Sequence, residues 1–284
     1  VQEMPQSVGS WSTKASMPTA RYAVAAGVVN GIYYAVGGSN GNPLNTVEAY
    51  DPATDTWTTK APMLTARGSA AVGVVNGILY AVGGTSGSTV YSTVEAYDPT
   101  TNAWTTKSPM PAGRAYLAGG VVNGILYAIG GTDFTACWQT VFAYDPASDT
   151  WTTKAPMSVG RCGLSAGVVG GILYAVGGTT TTAHLVEAYD PATNTWTTKS
   201  PMPTGRDALA VGVVRGRLYA IDGHTTAPTS RNEAYNPATD TWTDKTPDPT
   251  RRLDLAAGVV NGAIYVIGGY NNRGQLNTVE AFTP

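Results

Sequence analysis

Along residues 22–60 the apolar positions follow a period of two, in blocks cut by turn signals. Residues 22–29 are small and apolar and end at Asn30-Gly31, the strongest short hairpin signal. Ile32–Val36 is a second apolar run, stopped by Gly37-Gly38. Residues 46–50 form a third, followed by the turn sequence DPATDT and a fourth run at residues 57–60. This pattern predicts four strands joined in an antiparallel meander.

The chain then rewrites the same stretch. Trp recurs at Trp11, Trp57, Trp104, Trp151, Trp196 and Trp242, a period of 45 to 47 residues. An arginine follows each by ten positions (Arg21, Arg67, Arg114, Arg161, Arg206, Arg252). Sixteen positions further comes a glycine pair, headed by Gly37, Gly83, Gly130, Gly177 and Gly268, with Asp222-Gly223 in the fifth copy. The Asn-Gly turn returns at Asn76, Asn123 and Asn261, while Gly170-Gly171 and Arg215-Gly216 replace it in copies four and five. Such self-similarity marks a repeat architecture. The chain opens on a fourth-strand segment, residues 10–17, and stops on a third-strand segment, residues 278–282. Each end has what the other lacks, so the N-terminal strand is expected to complete blade six and close the ring, removing open sheet edges. Residues 1–284 therefore read as a single six-bladed β-propeller.

An arginine, an Asn-Gly turn, I-L-Y-A-V-G-G, V-E-A-Y-D-P and a Trp together resemble the kelch repeat, and all six copies carry most of it. The resemblance implies an all-β, six-bladed kelch-type propeller of four-stranded antiparallel blades. It also implies that ligands meet the face bearing the loops between strands two and three. Kelch propellers include adaptors, oxidases, cyclases and sugar isomerases, so function must be argued from the site.

Most repeated residues read as structural, because repeat-wide identity serves packing between neighbours. Small residues such as Ala25, Ala26 and Gly27 suit the crowded centre, and Trp, Tyr and Val the space between blades. The repeat arginines are expected to pair with Glu48, Glu95, Glu187, Glu233 and Glu280, except in blade three, where Phe142 stands instead.

Charged residues are only 13% and the net charge is −2, which gives no basic field for nucleic acid and no polybasic patch for a membrane surface. No apolar run reaches the roughly 18 residues of a membrane span. The opening VQEMPQSVGS lacks a basic region and an apolar core, so any signal peptide is expected to have been removed already. The neutral, Thr- and Gly-rich composition points to a secreted or extracytoplasmic protein, expected as a monomer.

Length varies only between the glycine pair and the third strand, on the same face as the Met-Pro-x-x-Arg connection, and variable loops on a rigid scaffold suit binding. Subtracting the repeat leaves reactive residues mainly in blades three to six. Cys137 and Cys162 lie in neighbouring loops, where a disulfide, two separate thiols or a metal pair are the alternatives. His184 and His224, with Asp207, Asp222 and Asp254 nearby, suit a divalent metal, a His/Asp acid–base pair or plain solvation. Asp222 replaces a repeat glycine and is the sharpest local departure. Asp254 is one of six occupants of the position two beyond the arginine (Ala23, Ser69, Tyr116, Gly163, Ala208, Asp254), which should face the channel mouth. Trp138, Tyr116 and Tyr270, interleaved with Asp133 and Arg273, suit sugar rings or peptide side chains.

No arginine occupies the mouth positions where family adaptors read acidic peptides, and no Gly-x-Ser-x-Gly elbow or zinc-spaced cysteine cluster occurs. The reading is a non-enzymatic recognition module for a glycan or peptide, with no cofactor predicted. The alternatives are an enzyme doing acid–base or metal-assisted work on a sugar or peptide terminus, and a designed or recently duplicated scaffold.

Overall fold

A computed structural model describes residues 8–178 and 183–284; residues 1–7, most of the opening read above for a leader, lie outside the described residues. Six four-stranded antiparallel sheets stand round a central axis. Blade one runs Ala25–Val29, Ile32–Val36, Val47–Asp51 and Thr56–Lys60 from the axis outward, so the predicted strands hold to within a few residues. Blade six takes its outermost strand from the other end of the chain. Ser10–Lys14 pairs antiparallel with Val279–Thr283, in the register Trp11 to Phe282 and Thr13 to Glu280.

The innermost strands pack side by side, and their central glycine explains how. A Cβ on Gly73 would lie 2.3 Å from Leu126 of the next blade, and one on Gly258 would lie 2.5 Å from Tyr33, which closes the circle. The large side chain of one blade thus fills the space left by the missing side chain of its neighbour. Further out, the repeat Trp and the turn acid stitch blades together. Trp57 Nε1 donates to Ala15 O (2.9 Å), and Asp55 Oδ1 accepts from both Ala15 N (2.8 Å) and Tyr50 Oη (2.6 Å). Trp104, Trp151, Trp196 and Trp242 repeat the indole bond to the preceding blade. Trp11 makes it to Thr246 O (2.8 Å) across the ring closure.

In five of the six blades the repeat arginine is a buried staple. Arg21 Nη1 donates to Gly37 O (3.1 Å) and Thr46 O (3.0 Å), while Nη2 reaches Glu48 Oε2 at 2.6 Å. Arg161–Glu187 and Arg206–Glu233, both 2.7 Å, repeat the pair, as do Arg67–Glu95 and Arg252–Glu280. Each buried charge is offset by a partner and by carbonyls, the condition for holding it out of water.

Candidate functional site

A closed circle of backbone hydrogen bonds forms the neck of the channel. The residue two beyond each repeat arginine donates its N–H to the equivalent carbonyl of the blade before it. The bonds run from Ala23 to Asp254 (2.8 Å), Ser69 to Ala23, Tyr116 to Ser69 and Gly163 to Tyr116 (2.9 Å each), Ala208 to Gly163 (2.7 Å) and Asp254 to Ala208 (3.0 Å). Aiming both groups along the circle requires left-handed backbone, with φ between 50° and 54° at the five residues other than Gly163. That conformation costs an L-residue about 1 kcal/mol, and the closed ring holds it in place. It also turns the six residues, five of them with side chains, toward the axis, where they line a cavity of about 90 Å³. Of the six positions expected to face the channel mouth, all line the neck, and Tyr116, Gly163, Ala208 and Asp254 also line the mouth above it.

One residue earlier, five of the blades among the described residues pair with the segment just after their glycine pair. In blade five this isolated bridge joins Asp207 to His224, with backbone bonds of 3.1 and 2.8 Å in the two directions. Cross-strand partners put their side chains together, and His224 Nδ1 lies 3.2 Å from Asp207 Oδ1. Asp207, His224, Asp254, Tyr116, Phe134 and Leu253 line one open cavity of about 420 Å³ above the neck. Its walls are largely apolar and its acidic corner is Asp207 and Asp254.

Asp254 is set at the boundary of neck and mouth, lining both cavities. Burial, followed by the charge of Asp207, pushes its carboxyl up to about 6, with His224 acting in the opposite sense. Burial raises the Tyr116 phenol, partly countered by its hydrogen bond with Ser69. Phe134 stands 51% exposed over the opening.

The other expected residues sit elsewhere. Tyr270 is on the rim, edge-on to Tyr22 at a centroid distance of 5.7 Å. Arg273 shares with Arg251 a separate notch of about 230 Å³ in blade six. His184 is not among the residues lining the mouth; its Nδ1 is 2.6 Å from Met202 O, and its ring covers Gly205. The two histidines are thus engaged by different partners, and among the described residues no group of three or more His, Cys, Asp or Glu could hold a metal ion. Cys137 and Cys162 are joined as a disulfide that ties the blade-three loop to the head of blade four.

Asp133 and Trp138, expected to meet ligand, are engaged within the blade-three loop and by Arg114. The Asp133 carboxylate accepts from Thr135 Oγ1 (2.6 Å) and Thr135 N (3.0 Å). The Thr135 hydroxyl first, then the Trp138 indole and the loop N–H groups, hold it well below the usual carboxylate range. Trp138 lies 4.8 Å from the Arg114 guanidinium. Arg114 is the repeat arginine without a glutamate, and Trp138 with Phe142 (6.0 Å) supplies the cover that Glu gives elsewhere.

Asp222, expected on the loop face, is fully buried in the seam between blades five and six. Arg252 Nε lies 3.4 Å from Oδ2 of both Asp222 and Asp248, and Asp248 is 3% exposed. In the other seams the first glycine of the pair faces a Met of the next blade. A Cβ on Gly37 would come 2.7 Å from Met63 Cε. In this seam Gly has become Asp222, and Asp248 takes the place of that Met (Met17, Met63, Met110, Met157, Met202). Burial, then the neighbouring Asp248 charge, raises the Asp222 carboxyl well above the usual carboxylate range. Asp248 escaped the sequence reading, although its departure from the Met column was visible there. Leu253 and Thr132, which also line the mouth, gave no chemical signal.

Comparison with known families places a KLHDC2/KLHL20/DRC7 Kelch-repeats domain on residues 5–178 and Kelch motifs on residues 160–203, 205–249 and 251–284. The chain belongs to the kelch-repeat family. Comparison with curated proteins gives no match. A solved structure, "Structure of YjhT", superposes with a TM-score of 0.82 over 93% of this chain and 95% of that one, at 18% identity. At that identity the likeness speaks for the fold alone. In this kelch propeller a larger cavity, about 590 Å³, opens between blades two and three on the opposite face. Hairpin and turn residues of the repeat, such as Asn76, Asn123 and Asp145, line it. Their types recur round the ring, whereas the mouth gathers residues that occur once.

Proposed function

We propose that this kelch propeller is a recognition module whose channel mouth on the loop face holds a peptide or glycan. The observation that carries this reading is the asymmetry of the neck. Six equivalent backbone positions are held in one conformation, yet their side chains are Ala, Ser, Tyr, Gly, Ala and Asp. A rigid scaffold with unlike side chains converging on an apolar, partly acidic cavity of about 420 Å³ is the usual form of a binding site. Immobilised peptide and glycan arrays test this. A captured ligand should lose at least about tenfold in affinity on Phe134→Ala, some 1.4 kcal/mol. Retention of full affinity by Phe134→Ala and Asp207→Asn together would move the site elsewhere.

The Cys137–Cys162 bridge supports an oxidising, extracytoplasmic setting. A single copy is the proposed working unit, since the ring closes on its own N-terminal strand. A second reading, acid–base catalysis on a sugar or peptide terminus, draws on the Asp207–His224 pair beside Asp254. Turnover abolished by His224→Ala at unchanged stability would favour it.

A further inference from the structure

Resting on the mouth as the binding site, we infer that it takes the protonated amine of a lysine side chain presented by a peptide.

The charge balance of the cavity sets the sign. Two carboxylates, Asp207 and Asp254, line it, and the one group there able to carry a positive charge, His224, already bonds to Asp207. The six repeat arginines are turned away. Five are bound to the glutamates of their own blades, and Arg114 is covered by Trp138 and Phe142. Arg251 and Arg273 face their own notch. An anion entering the mouth would meet like charge and no fixed cation.

Asp254 adds the demand for a donor. Its backbone is held by the neck ring, but its carboxylate has no hydrogen bond or ion pair within hydrogen-bonding distance among the described residues. A half-buried carboxylate without a donor is costly, and an ammonium supplies a charge-assisted bond that a neutral sugar hydroxyl cannot match. Burial, then the Asp207 charge, raises the Asp254 carboxyl, and an incoming ammonium would act in the opposite sense.

The shape argues for lysine among amines. Phe134 lines the mouth, while Asp254 lines both the mouth and the neck beneath it. A ligand must therefore pass apolar and aromatic walls before its charge reaches the acid. The four-carbon stem of lysine suits that path, with the ammonium at its tip and Tyr116 beside it for a cation–π contact. An amino sugar carries its amine directly on a polar ring.

The test uses the intact chain, isotope-labelled, and three blocked peptides identical except at one residue: lysine, norleucine or glutamate. Expected at pH 7 is lysine-specific perturbation of the Ala208, Leu253 and Asp254 amides, with binding at least about tenfold tighter than norleucine. Asp254→Asn should remove that margin while the neck stays folded, because Asn tolerates the left-handed backbone. Asp207→Asn should reduce it, and Arg273→Gln should leave it unchanged. Asp254 is faced by Asp207, His224 and Tyr116. With its pKa near 6, lysine affinity should fall about tenfold from pH 7 to pH 5. Equal or tighter binding of the norleucine or glutamate peptide at the same amides would overturn the amine inference and leave the mouth as the site. Perturbation of the mouth by none of the three at millimolar concentration would count against both.

Discussion

Replacing Asp248 by Met, the residue of the other five seams, should be among the most damaging single changes in this chain, and Asp222→Gly should repair it. Both carboxyls are buried, and Arg252 Nε sits 3.4 Å from each. Asp248→Met alone removes the partner carboxyl and leaves Asp222 with Arg252 only, a cost of about 1–3 kcal/mol. It also drives a Met methyl toward a Cβ. In the other seams such a Cβ would stand 2.7 Å from Met63 Cε and 3.4 Å from Met202 Cε. Overpacking of that kind costs about 1–3 kcal/mol. The single variant should therefore lose about 3 kcal/mol, a fall of roughly 5–10 °C in melting temperature. Asp222→Gly alone should change stability by less than about 1 kcal/mol, because relief at φ 57° offsets the void left behind. The double variant restores the pattern of the other seams and should match or exceed the parent, since an apolar replacement of buried charges is often neutral or stabilising. Urea unfolding of all four proteins gives the coupling energy, expected near 2 kcal/mol. Additivity within about 0.5 kcal/mol would refute the claim that the two aspartates arose as one packing unit.

Further expectations concern blade three, the neck and pH. Trp138→Ala should cost about 2 kcal/mol by uncovering Arg114, with Phe142→Glu regaining at least half of it, as read by thermal unfolding. Ligand affinity should change less than stability in that variant, because Trp138 serves the arginine. Ala23→Gly and Ala208→Gly should each raise the urea midpoint by the equivalent of about 0.5–1 kcal/mol, since both hold left-handed backbone at φ 50°. Asp254 has its carboxyl raised in the folded state, so its contribution to stability is complete below about pH 4 and is lost as pH rises through 6. Asp254→Asn should therefore gain stability relative to the parent between pH 4 and pH 7, measured by unfolding at both ends.

Much of this architecture was legible because each repeat repeats its physics. Asn30-Gly31 can turn only one way at low cost, and the Trp-to-Arg spacing fixes which strand meets which. Ring closure followed from residues 10–17 and 278–282 being complementary fragments. The mouth was legible in part. Asp254 and Tyr116 were placed by counting from an arginine, while the sixfold-repeated spacing said nothing about depth. Asp222 looked like a site because it broke the glycine column; its partner Asp248, 26 residues on, showed that the break was filled from the next blade. Trp138 has a partner of the same kind. Loss of Glu at Phe142 and gain of Trp138 are two halves of one compensation around Arg114. Departures from a repeat are thus of two kinds, and partner columns separate them: paired departures repair packing, and unpaired ones, such as Tyr116 and Asp254, face solvent space.

The most direct measurement is hydrogen exchange of the protein with and without its strongest array ligand. The account predicts added protection in residues 114–117, 206–209 and 252–255, the segments that carry the neck and mouth. Protection centred instead on the hairpins at Asn76 and Asn123, around the opposite cavity, would contradict it.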